Sequence, residues 1–143
     1  MGEQMKKKMK FLEKKLFEGQ FFEVYEHLIQ EHVKFKIEDL VLLFPDSNRY
    51  LLYTFIMYAI SREETVEKHL AICDVLLYLE PCFLGDYDLI AWHLRQSLKI
   101  SPNDVKVLQW TIDTFSSHPD SPFSESELSA YQKTLSTISI SND

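Results

Sequence analysis

A chain of 143 residues, 45% apolar and 13% aromatic, is long enough for one domain with a buried core and too apolar to stay disordered. Its 22 acidic against 15 basic residues leave a net charge of −7, which argues against nucleic acid or an anionic membrane as the main partner, since both demand a basic footprint. Three glycines and five prolines leave few loops, and two cysteines with no Cys-x-x-Cys pair read as small apolar side chains in a reducing compartment. The polar start, Met1 to Lys10, has no apolar run or small-residue cleavage site after it, so no secretory signal is expected. The most apolar segment, Tyr50 to Ile60, is about half the length a bilayer requires. A soluble, cytoplasmic protein is expected.

In chain order, Met9, Phe11, Leu12, Leu16 and Phe17 share one side of a helix over Lys6 to Glu18, and the lysines at its start read as a solvated end. Gly19 breaks that helix. A second is predicted from Phe21 to Val33, and a short third from Ile37 to Phe44, ended by Pro45. Asp46, Ser47 and Asn48 then supply turn and cap residues. The fourth, Arg49 to Ile60, is apolar nearly all round and is expected to be innermost. Ser61 and Glu64 have the spacing of a capping box, opening a fifth helix that runs to Leu79 and stops at Pro81.

A loop through Cys82, Phe83 and Leu84 leads to a sixth helix that buries Leu89 or Ile90, Leu94 and Leu98. Ser101 as N-cap and Pro102 at the first helical position start a seventh, with Val105, Leu108, Ile112 and Phe115 inward. The two prolines of Ser117 to Pro122 stiffen a loop. Ser124 and Glu127 form a second capping box before an eighth helix ending near Ser136, and residues 1–5 and 138–143 are expected to fray. The prediction is a single all-α domain over residues 1–143, with about eight helices as stacked antiparallel hairpins.

Two segments resemble one another. Gly19, Phe21, Val24, His27 and Leu28 correspond in spacing to Gly85, Tyr87, Ile90, His93 and Leu94, at roughly twice the tetratricopeptide period of about 34 residues. Gly85, Tyr87, Leu94, Ser97 and Pro102 resemble the second helix and closing proline of a tetratricopeptide-like repeat. The run His93-Leu94, Ser97 to Asn103, Val107-Leu108, Trp110 and His118 to Phe123 resembles the immunity proteins of bacterial polymorphic-toxin systems. That resemblance implies a cytosolic protein that binds a cognate secreted toxin domain and occludes its active site. The repeat resemblance implies instead an adaptor holding a peptide segment of a partner.

No Gly-rich phosphate loop, Gly-x-Ser-x-Gly or His-Glu-x-x-His occurs in the chain, so no enzyme, cofactor or metal site is expected. His69 and Cys73, one helical turn apart, read as core rather than as metal ligands. His27, His69 and His93, each before a leucine, read as a recurring helix-interface position. The partner-binding candidates are Asp86, Asp88, Trp92, Lys106, Gln109, Trp110, Asp113, His118 and Asp120, a set that combines carboxylates with large aromatics. Trp92 and Trp110 lie between the buried and polar sides of their helices, either as half-buried boundary residues or as interface anchors. The expected partner is a basic toxin domain, drawn in by electrostatic steering.

Overall fold

Glycine at position 19 is where the chain first turns, and its geometry explains why. A computed structural model describes residues 2–79 and 83–141. Helix α1 (Glu3–Phe17) ends as the Gly19 and Gln20 amides donate back to Leu16 and Lys15, a closure that needs the left-handed backbone Gly19 adopts at φ +75°. Helix α2 (Phe21–Gln30) ends the same way, three residues short of the predicted Val33. There the left-handed position is filled by His32 at φ +56°, and Val33 donates to Leu28.

Helices α3 (Ile37–Leu43) and α4 (Arg49–Arg62) follow. The Asn48 side chain caps α4 by accepting from the Leu51 amide at 2.9 Å, as its sequence position predicts. Helix α4 runs through Arg62, so Ser61 is interior and donates to the Tyr58 carbonyl instead of capping α5. The cap of α5 (Val66–Tyr78) is Thr65, which accepts from the Lys68 amide. The predicted stop at Pro81 and the loop residue Cys82 lie outside the described residues.

Helix α6 (Leu84–Ile100) includes Gly85 in its first turn. Ser101 closes α6 rather than opening α7 (Val105–Phe115), whose cap is Asp104, accepting from the Val107 amide at 3.1 Å. Ser124 does cap α8 (Glu125–Ser141), but Glu127 turns away from the predicted reciprocal bond to hold Arg95 of α6 at 2.9 Å. Helix α8 extends to Ser141, past the expected end near Ser136. Among the described residues there are eight helices and no strand.

Consecutive helices pack as pairs: α1 on α2, α4 on α5, α5 on α6, α6 on α7 and α7 on α8. The innermost helix is α5 rather than α4. Helix α5 buries seven residues, from Lys68 to Leu76, and α4 buries five. The reason is position: α5 has α4, α6 and α3 against it, whereas α4 leaves Tyr50 three-quarters exposed at its start.

The core has an aromatic half, where Phe55 meets Phe21, Phe35 and Phe44, and burial of each such ring contributes about 1.5–3 kcal/mol. Beside it, the buried Lys68 ammonium donates to the Glu63 carbonyl at 2.6 Å and stands over the Tyr25 and Phe35 rings. These contacts pin the α4–α5 connection to α2.

The two similar segments share their packing but not their turns. Val24 and Ile90 are fully buried, as are Leu28 and Leu94. Gly19 lies between helices, however, while Gly85 lies within one, and His27 is half-buried where His93 is wholly buried.

Candidate functional site

Three helices converge on a groove. Glu38 of α3, the Val66–Asp74 face of α5 and Lys106 of α7 line it, joined by Phe35, Lys36 and Asp104. Its volume is about 250 Å³. The α5 contribution follows from helical spacing: Val66, Leu70 and Ala71 give the apolar floor, and Glu67 and Asp74, seven residues apart, stand on the same side.

Four carboxylates (Glu38, Glu67, Asp74 and Asp104) face two ammonium groups (Lys36 and Lys106) around this floor. Three of the four also hold backbone or indole donors. Glu67 accepts from the Phe35 amide at 2.8 Å, Asp74 from the Trp110 indole N–H at 3.0 Å, and Asp104 caps α7. Burial raises the Asp74 carboxyl above its ordinary range; the Trp110 bond opposes this, and the nearby Glu38 charge adds to the rise. A cation placed between Glu38 and Asp74 would relieve that repulsion.

The predicted binding residues divide among several places. Lys106 sits on the groove rim, and Trp110 braces the groove from behind, half-buried through its bond to Asp74. Gln109 and Asp113 are exposed and bonded to each other at 2.7 Å. His118 packs edge-on against Tyr87, 4.6 Å between ring centres, and its Nδ1 accepts the Asp120 amide. Asp88 is exposed on α6, and Trp92 is 48% exposed.

Asp86 is a correction. It is buried and bound to the buried Arg49 at 2.8 Å, besides accepting the Phe83 amide at 2.7 Å. It therefore belongs to the joint between α4 and α6, not to the surface, because the first turn of α6 faces the start of α4. A cavity of about 120 Å³ adjoins this joint, walled by Tyr50, Tyr53, Phe83 and Leu89.

A second polar constellation lies beneath Trp92. His69 and His93 are both completely buried, and their Nδ1 atoms are 2.8 Å apart across the α5–α6 interface. The Nε2 of His69 lies 2.8 Å from the half-exposed Glu64 carboxylate. The Nε2 of His93 is buried with no hydrogen-bond partner, and burial together with His69 lowers the His93 pKa to about 3. The Trp92 indole stands edge-on to both rings. The expectation that these histidines mark a helix interface holds for His69 and His93, whereas His27 is half-buried near Glu31. Cys73 is a free, buried thiol that donates to the Ile90 carbonyl, and burial raises its pKa. Among the described residues no group of three or more His, Cys, Asp or Glu side chains has the arrangement of a metal site.

The sequence reading missed Lys36, Glu38, Glu67 and Asp74. The seven-residue spacing of Glu67 and Asp74 was a usable signal for one shared helix side. Nothing in the sequence places Glu38 opposite them. No family model, curated protein or solved structure matches the chain. Among the described residues no helix is long and apolar enough to cross a membrane. The class defined by fold and site is thus an all-α protein with an acid-rimmed groove.

Proposed function

We propose that this chain is a protein-binding module that receives a basic partner in the groove between α3, α5 and α7, and that it acts as a bacterial immunity protein. In that role it covers the active site of a cognate toxin domain in the cytosol. The observation that carries this reading is the groove itself, with an apolar floor and four carboxylates against two lysines. A lysine or arginine fits such a place twice over: its aliphatic stem packs on Val66, Leu70 and Ala71, and its charge meets Glu38 and Asp74. The net charge of −7 favours rapid encounter with a basic surface. Toxins that act on nucleic acid are commonly basic for their own substrate's sake.

The test begins at the neighbouring gene: a toxin reading frame there is expected and is to be co-expressed with this chain, whereas a solitary gene counts heavily against the immunity reading. Rescue of growth is expected, together with binding that weakens as salt rises. Glu38→Lys, on an exposed side chain, should weaken binding at least tenfold, while Lys36→Glu and Lys106→Glu should preserve or tighten it. Asp113→Lys with Asp120→Lys, away from the groove, should leave rescue intact. Full rescue by Glu38→Lys with loss in the Asp113/Asp120 double variant moves the contact to Asp113 of α7 and the loop that carries Asp120. Absence of any binding overturns the immunity reading.

The adaptor reading draws on the same groove, lined by residues of α3, α5 and α7, because a groove shared by several helices is the kind of place where a helical-repeat protein holds a peptide. A short Lys/Arg-rich peptide that binds as tightly as a folded basic domain favours the adaptor. Binding only by the folded domain favours the inhibitor.

A further inference from the structure

Helix α5 has two lined sides. Val66, Glu67, Leu70, Ala71 and Asp74 face the groove, and at 3.6 residues per turn Leu76 falls on the opposite side. There it lines the cavity of about 120 Å³ between α4 and α6. Tyr50 and Tyr53, three residues apart on α4, wall this cavity together with Phe83 and Leu89. Leu89 and Trp92 share one side of α6 by the same spacing, and edge-on contacts run from Tyr53 through His93 to Trp92. The result is one apolar face that spans α4 and α6. Tyr50 is 75% exposed on it, Phe83 57%, Trp92 48% and Leu89 42%. At about 150–250 Å² for a large side chain, these exposed parts amount to about 400 Å², a size at which an apolar patch marks an interaction site.

We infer that two copies of this chain pair through the α4–α6 face, the Tyr50 ring of each entering the cavity of the other. Shape favours a second copy, because a two-fold contact needs a projection and a recess on the same patch. Tyr50 is the projection, and the cavity of about 120 Å³ is close to the roughly 150 Å³ that accepts a benzene ring. Charge favours it too. The guanidinium beside the Phe83 ring, that of Arg49, is paired with Asp86, so two such faces meet without opposing like charges. The exposed Asp88 of α6 lies toward Arg95. The exposed Phe11 offers no such match, since Lys7 and Lys14 stand one turn away on α1 and a copy would set lysines against lysines. Area fixes the strength. Two faces and their polar rim bury about 1,000 Å², the lower end for a specific interface, so the pair forms and separates with concentration. The groove lies on the other side of α5 and stays open in the pair, so the inference does not rest on the immunity reading.

The experiment is sedimentation velocity of the intact chain from about 1 μM to about 1 mM. The mass should rise from that of one chain to that of two and stop there. Tyr50→Ala removes the projecting ring, and Leu89→Lys puts a charge in the cavity wall; each should weaken pairing at least tenfold. Both positions are exposed, and thermal melts check that the variants fold. Tyr50→Phe keeps the ring and should pair like the parent, as should Phe11→Ala on α1. The proposal is overturned if the parent keeps the mass of one chain throughout, if it grows past two chains, if folded Tyr50→Ala pairs like the parent, or if Phe11→Ala abolishes pairing.

Discussion

Arg49 and Asp86 meet at 2.8 Å with both side chains about one-tenth exposed or less, joining the start of α4 to the start of α6. Asp86 also holds the Phe83 amide, so one carboxylate caps a helix and neutralises a buried guanidinium. Removing it takes the 2.8 Å carboxylate partner away from a buried guanidinium. Asp86→Ala is expected to cost about 3–5 kcal/mol, the usual range for breaking a buried pair, read as a lowered urea midpoint. The double change Arg49→Met with Asp86→Leu should cost less than Asp86→Ala alone. Asp88→Ala, two residues on and exposed, should stay within about 0.5 kcal/mol. Equal losses at positions 86 and 88 would refute the joint.

The left-handed residues after α1 and α2 predict opposite responses. Gly19 holds φ +75° without strain, and His32 holds φ +56° against its own Cβ. Gly19→Ala should therefore destabilise by about 1 kcal/mol although nothing lies within 4 Å of the added carbon. His32→Gly should stabilise by up to about 1 kcal/mol. Thermal melts of the two variants should move in opposite directions; shifts of the same sign would count against both closures.

The caps separate similar side chains in the same way. Thr65→Ala and Asp104→Ala should each cost about 1 kcal/mol, because each removes an acceptor from a helix amide. Ser61→Ala and Ser101→Ala should each cost less than about 0.5 kcal/mol, because neither side chain caps a helix start. Denaturant midpoints of the four variants decide the matter. A Ser61 effect as large as that of Thr65 would mean α5 begins earlier.

These contrasts mark what the sequence could reveal. Helical period placed Leu94 and Phe115 in the core, with either Leu89 or Ile90 beside them, because burial repeats along one helix side; Ile90 is the one buried. Cap positions were ambiguous because Ser61 and Thr65, or Ser101 and Asp104, are chemically similar and close in sequence. The choice was made by how far α4 and α6 continue before their packing runs out. Asp86 looked like a surface acid because its partner Arg49 is contributed by another helix. Glu38 and Asp74 come together only when α3 packs on α5, and His69 finds His93 only across the α5–α6 interface. Local pattern therefore reached the helices and the apolar sides, while the sites depend on pairings between helices.

His93 gives the fold a pH dependence of calculable sign. In the folded chain burial and the neighbouring His69 lower its pKa to about 3, while an exposed histidine titrates near 6.5. Below about pH 6.5 the unfolded chain therefore binds a proton that folded His93 refuses. Stability due to this group is complete above that pH and declines as the pH falls toward about 3, with a limiting slope of about 1.4 kcal/mol per pH unit. From pH 7.5 to pH 5 the loss attributable to His93 should be about 2 kcal/mol. Urea unfolding at several pH values should give that decline in the parent chain. His93→Leu, which leaves no imidazole to protonate on unfolding, should flatten the curve over this window even if it lowers stability at pH 7.5. A variant curve parallel to that of the parent would show that the refused proton belongs to another group.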